Sequence, residues 1–200
     1  MLETPFVHLR LHSEYSVTDG IVRLGDALVR AGSCGMPALA LTDLANVFGL
    51  VKFYSSARGK GIKPLLGSDV FIANDTDPDR PYRLLLLVRS GQGYRQLCEL
   101  LSRAYLAPRV RGRAEISRRM LHEVGVDGLI ALSGAAAGDV GEALLQGRFE
   151  QASQCARRWE QLFPGAFYLE VQRYGQPQQE FLVKRCCRAG SSRRRSARGV

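Results

Sequence analysis

Two histidines, His8 and His12, lie in the stretch FVHLRLHSEYSVTDG, residues 6–20, which opens with strand alternation and closes in a turn. Over Phe6 to Leu11 and on to His12, alternation puts His8, Arg10 and His12 on one face and Val7, Leu9 and Leu11 on the other. The apolar set is expected to face a core. The polar set runs into Ser13, Ser16, Thr18, Asp19 and Gly20. Imidazoles with a carboxylate a few residues on supply metal ligands or a general base. Strand-borne histidines also serve as hydrogen-bonded structural groups, so this pattern alone leaves the chemistry open. Asp43, after a short apolar strand, and Asp69, within or after the next one, are the acids that could join it.

The rest of the chain must bring these residues together. Arg23 to Cys34 has helical apolar spacing, ended by Gly35, and Pro37 to Leu41 is a short strand leading to Thr42 and Asp43. Val47 to Lys60 reads as a helix with Leu50, Val51, Phe53 and Tyr54 on its apolar side, stopped by Gly59 and Gly61. Ile62 to Ile72 is strand-like, and Asn74 to Pro81 is a loop. Tyr82 to Val88 is an unbroken apolar run, the pattern of a strand covered on both faces. Gln92 to Leu106 is an amphipathic helix, Pro108 to Arg119 a solvated basic connector and Ile116 to Glu123 a short helix. Then come a strand over Gly128 to Leu132, helices over Asp139 to Leu145 and Phe149 to Leu162, and a strand over Phe167 to Gln172. A further helix starts in Pro177 to Lys184. Strands alternating with helices predict a parallel sheet, and about six such units without a glycine-rich dinucleotide fingerprint favour a barrel. In barrels the chemistry gathers at the C-terminal strand ends, where His12, Asp19, Asp43 and Asp69 fall.

Composition bounds the classes. A chain of 200 residues with 46% apolar and 24% charged content is a globular domain, or two at most. No apolar run is long enough to span a membrane. MLETPFVHLRLHS lacks the basic and apolar regions of a secretory signal, so the chain is expected to stay in the cytoplasm. Cys34, Cys98 and Cys155 read as small buried hydrophobes, and neither they nor Cys186 and Cys187 have zinc spacing. The net charge of +9 is concentrated at one end. Seven of the 28 basic residues and no acid fall between Lys184 and Val200, which leaves 21 basic against 19 acidic side chains, or +2, for residues 1–183. The body is nearly neutral, so the total charge gives no ground for a broad basic face.

FVHLRLHSEYSVTDG, GMPALALTDLANVFGLVKFY, GIKPLLGSDVF, GLIALSGAAAGDVGEALL and FYLEVQRYGQPQQE, in that order, resemble the N-terminal PHP domain of the bacterial replicative DNA polymerase III alpha subunit over residues 6 to about 183. The resemblance implies an α/β fold, a PHP-type distorted β/α (TIM-like) barrel. Here it would be incomplete at the C-terminal end, with an exposed sheet edge. In members with an intact site, side chains at the strand ends bind up to three metal ions. The pattern here departs from theirs. The first residue of the expected His-x-His pair is Arg10, and only His12 is retained, with His8 one step earlier on the same face. The expected Thr-Asp-His is Thr42, Asp43, Leu44. The expected glutamate of Gly-x-Glu is Asp69, and the histidine expected near the sixth strand falls on Tyr174. A guanidinium cannot lose its proton, so Arg10 puts a permanent positive charge in the cluster, where it is expected to pair with Asp19 or Asp69. These positions read as the remnant of a metal site, with no catalytic residue, cofactor or metal expected.

Residues 1–183 are therefore expected to form the PHP domain and residues 184–200 a basic tail, disordered or non-native, in which RCCRAGSSRRRSARGV replaces the family's helix and strand. The family's parent protein carries out template-directed DNA synthesis, with Mg²⁺ held in a polymerase domain that 200 residues do not include. Where the PHP site has decayed, the barrel is associated with docking a proofreading exonuclease alongside other replicase subunits. The other class is a metal-dependent phosphoesterase or 3′–5′ exonuclease. Arg10 and Leu44 favour the scaffold.

Overall fold

The computed structural model describes residues 6–108, 112–173, 175 and 179–186. It is an α/β fold whose strands are β1 (Ala38–Leu41), β2 (Lys63–Ile72), β3 (Tyr82–Val88), β4 (Glu115–Ile116), β5 (Leu129–Leu132) and β6 (Phe167–Tyr168). The helices are α1 (Leu24–Ser33), α2 (Leu50–Gly59), α3 (Gly91–Leu106), α4 (Arg118–Val124), α5 (Asp139–Leu145) and α6 (Phe149–Leu162). Residues 179–186 form a further helix, which runs past the boundary expected at residue 183. Its Arg185 guanidinium stacks over the rings of Phe181 and Phe149 and donates to the carbonyl of Leu144, and Cys186 is buried. The expected tail beyond it lies outside the described residues. No described helix is long and apolar enough to cross a membrane.

The sheet runs β1-β2-β3-β5-β6, with β4 beside the far end of β2. It is mixed rather than parallel. β1 and β2 are parallel, as are β5 and β6, but β3 is antiparallel to both β2 and β5. The cause is the connection. β2 and β3 are joined by a loop without a helix, and only an antiparallel partner can be reached that way. Asn74 organises that loop, accepting from Thr76 and the Asp77 backbone and donating to the Arg80 carbonyl.

Burial follows the strand period of two. Leu84 and Leu86 join the outer core under α3, α5 and α6, while Leu85 and Leu87 meet Ala40 and Leu132 on the inner side of the curled sheet. That is why Tyr82 to Val88 reads as an unbroken apolar run. Leu39 and Leu41 pack outward against Leu28 of α1 and Leu50, Phe53 and Ala57 of α2.

Several boundaries differ from the sequence pattern. Residues 6–11 form no continuous strand. His8 makes a single parallel bridge to Leu39, and Leu11 is tied to Thr42 through backbone and hydroxyl. Leu9 is exposed, because this edge segment reaches the α1–α2 cluster only through Leu11. On α2, Val51 and Tyr54 face out. The connector after Pro108 is not wholly solvated, since Ala114 and Ile116 are buried and β4 pairs with β2. Helix α4 starts only after the cap Ser117, and β6 is two residues long. Cys34, at the end of α1, is exposed rather than buried.

β2 changes partners at Leu66/Gly67, pairing with β1 before it and β3 after it. A Cβ on Gly67 would lie 2.4 Å from the Leu86 carbonyl oxygen. Gly67→Ala is therefore expected to destabilise the fold by about 1–3 kcal/mol through overpacking. Urea denaturation should show a lower midpoint at unchanged slope.

Candidate functional site

The sheet positions the site by its register. Asp69 on β2 stands opposite Leu85 of β3, so Arg83, two residues away on the same face, is its diagonal neighbour. Arg83 donates through Nε to Asp69 Oδ1 at 3.1 Å and through Nη2 to Oδ2 at 2.6 Å, and its guanidinium lies over the Phe71 ring. Arg10 reaches the same carboxylate through Nη1. Its other two donors form a fork on Glu170, Nε to Oε1 at 2.8 Å and Nη2 to Oε2 at 2.9 Å. His12 completes the cluster, with Nε2 3.1 Å from Asp69 Oδ2 and Nδ1 3.0 Å from Asp19 Oδ2.

The Asp69 side chain is fully buried, with 0% exposure. Burial alone would raise its pKa, but the hydrogen bonds from His12 and Arg83 and the two guanidinium charges outweigh that and hold it below the ordinary carboxylate value. For His12, burial pushes the pKa down, while the hydrogen bond to Asp69 and the charges of Asp69 and Asp19 push it up further, so the net direction is upward. A carboxylate at each ring nitrogen is a setting that only the doubly protonated ring satisfies with two donors.

The other expected residues separate from this cluster. Asp43 is buried, but it serves the chain turn. It accepts from the Ser13 backbone at 2.6 Å and from the Ser13 hydroxyl. Burial raises its pKa despite those bonds. Asp19 is not a partner of Arg10. It accepts from Ser16, and the same hydroxyl receives the Leu44 backbone N–H at 2.8 Å. Leu44 thus holds the loop by its backbone, bridging to Asp69, while its side chain offers no ligand atom. His8, expected on the same face, is exposed and packs edge-on against Phe6. Tyr174 lies outside the described residues. Among the described residues, no three His, Cys, Asp or Glu side chains form a group that could hold a metal ion.

Arg83 and Glu170 were not singled out in the sequence. Arg83 opens an apolar strand, and only the antiparallel register brings it onto Asp69. Glu170 follows β6 and is placed by its backbone N–H to Ser133 Oγ at 3.0 Å.

Two outcomes follow from this geometry. Arg10→Ala strips one side of two buried ion pairs and is expected to cost about 3–5 kcal/mol, with Arg10→Lys recovering only part because it cannot hold the fork. Chemical denaturation of both variants measures this. His12 has a folded pKa raised above 6.5, so its stabilising contribution is complete below that value and disappears as pH rises through the folded pKa. His12→Gln should therefore lower the melting temperature more at about pH 5 than at about pH 9.

The chain also has relatives. Residues 8–174 match the model of the PHP domain. The chain is 46% identical over 176 residues to DNA polymerase III subunit alpha of Pseudomonas fluorescens, covering 88% of this chain and 15% of that protein. With the corresponding protein of Escherichia coli K12 it shares 41% identity over 180 residues, covering 90% and 15%. It thus spans about 15% of the length of these curated relatives. The structure of a candidate metal-dependent phosphoesterase from Bifidobacterium adolescentis shares the fold, with TM-score 0.50 and 14% identity over 92% of this chain and 83% of that one. On the match over residues 8–174, the chain belongs to the PHP domain family.

Proposed function

We propose that this chain is the PHP part of a replicative DNA polymerase of the DNA polymerase III alpha type, and that its barrel is a non-hydrolytic scaffold that docks a proofreading exonuclease. In this reading template-directed DNA synthesis, its Mg²⁺ and the contact with the primer–template DNA at the site of synthesis belong to the rest of the polymerase, and the work is done in the cytoplasm. The identity to alpha subunits over most of the chain supports the replicase assignment.

The observation that carries the scaffold reading is the occupancy of Asp69. Both its oxygens accept from guanidinium groups, and the fork of Arg10 takes both oxygens of Glu170. A divalent ion needs those lone pairs free and at short range. It would also sit beside two permanent positive charges. Asp43 is spent on Ser13, and Leu44 supplies no donor. The residues present do not fit a divalent ion. The reading as a phosphoesterase or 3′–5′ exonuclease would need that ion.

The test is direct. Protein purified without chelator should contain no stoichiometric Zn²⁺ or Mn²⁺ and should not degrade a 3′-labelled oligonucleotide, yet should co-elute with the exonuclease. Stoichiometric metal that is lost on mutating His12 would favour the hydrolase, and failure to co-elute would remove the docking role. In thermal unfolding, the parent should ignore Mn²⁺. Arg10→His combined with Leu44→His should gain stability from it, by about 2.7 kcal/mol when the metal is at a hundred times its Kd.

A further inference from the structure

The opposite end of the β1–β2 pair carries a different electrostatic arrangement. β1 and β2 are parallel, so Asp43 and Asp69 lie toward their C-terminal ends, while Pro37 and Lys63 lie at their N-terminal ends. Asp69 lies six residue steps along extended β2 from Lys63, roughly 20 Å. At that far end is an open groove of about 480 Å³ lined by Pro37, Tyr54, Arg58, Gly61, Lys63 and Pro64.

Charge around the groove is one-sided. From Leu44 to Ser68 the chain has four basic residues, Lys52, Arg58, Lys60 and Lys63, and no acid. Residues 1–183 as a whole are nearly neutral, so this is a local asymmetry. Arg58, Lys60 and Lys63 are all exposed. Arg58 and Lys60 complement the negative end of α2, which accounts for part of the pattern. It does not account for Lys63, which begins a strand, or for Tyr54, an aromatic ring held 41% exposed. Tyr54 is also pre-oriented. Arg58 Nη1 donates to its hydroxyl at 2.9 Å, and the guanidinium lies over its ring at 5.7 Å. A fixed aromatic and a flat guanidinium, flanked by lysines and bounded by two prolines, supply stacking faces and phosphate-neutralising charge together.

We propose that this groove binds single-stranded nucleic acid, with Tyr54 and Arg58 stacking a base and Arg58, Lys60 and Lys63 neutralising the backbone. The site is separate from the Asp69 cluster and does not depend on the scaffold reading of that cluster. An acidic polypeptide would satisfy the charges but not use the stacking faces.

Fluorescence anisotropy with a labelled oligothymidylate tests this on the full chain. The arginine-rich residues after Lys184 are present in every variant, so they contribute equally to all. Replacing Arg58, Lys60 and Lys63 together by alanine should weaken binding at least about tenfold at low salt. It should also make the log–log salt dependence shallower by about 2, from ~0.7 per neutralised phosphate. Tyr54→Ala should weaken binding about tenfold at unchanged salt slope, and Tyr54→Phe should keep most of the affinity. A matched removal of three other exposed arginines, Arg95, Arg157 and Arg158, should leave affinity within about twofold. The proposal is overturned if the groove and control triples behave alike, if Tyr54→Ala binds like the parent, or if polyglutamate displaces the oligonucleotide at equal charge concentration.

Discussion

A carboxylate sealed from water is the constraint on which the rest of this barrel depends. Asp69 has no exposed side-chain surface, and an uncompensated ion in such a place costs several kcal/mol. Its compensation comes from three side chains on two separate parts of the chain. His12 and Arg10 arrive from the first extended segment, and Arg83 comes from β3. Each of these contacts fixes the position of the element that carries it. Arg10 has a second obligation, because its fork binds Glu170, just after β6. The segment with Arg10 borders β1, one end of the sheet, and Glu170 borders the other. The two ends of the sheet are thus held together by an ion pair across 160 residues of chain rather than by strand pairing.

The electrostatics of the cluster balance. Arg10, Arg83 and, when its ring is doubly protonated, His12 face Asp69, Glu170 and Asp19. Buried pairs of this kind contribute little net stability compared with a well-packed apolar core, since desolvation offsets most of the attraction. Their effect is on position. Three outward- and inward-facing apolar clusters supply the burial that drives folding, and the ion pairs decide where the ends of the curled sheet come to rest.

Local pattern carried most of the elements. α1, β3, α3, α5 and α6 were legible because their apolar periods are long and bounded by glycine, serine or proline. The direction of β3 was not, because strand period says nothing about which way a neighbour runs. That one unknown hid Arg83, whose approach to Asp69 exists only in the antiparallel register. His8 illustrates the converse. Alternation put it on the face of Arg10 and His12, yet a segment with a single bridge to β1 is not held flat, and the side chain turns to Phe6 instead. The family pattern marked Arg10, Asp69 and Leu44 as departures, but Glu170 became a partner only once the sheet had curled far enough to bring it near.

The two ends of the β1–β2 pair make opposite use of charge, and the difference is one of placement rather than of total. At the C-terminal end cations and anions are interleaved from distant segments, so their fields cancel at contact distance and little extends into solvent. At the N-terminal end the cations come from one continuous acid-free stretch, and no other described element places a carboxylate among the groove-lining residues. Their field is therefore directed outward. A single neutral body can contain both arrangements, which is why the net charge of the chain revealed neither.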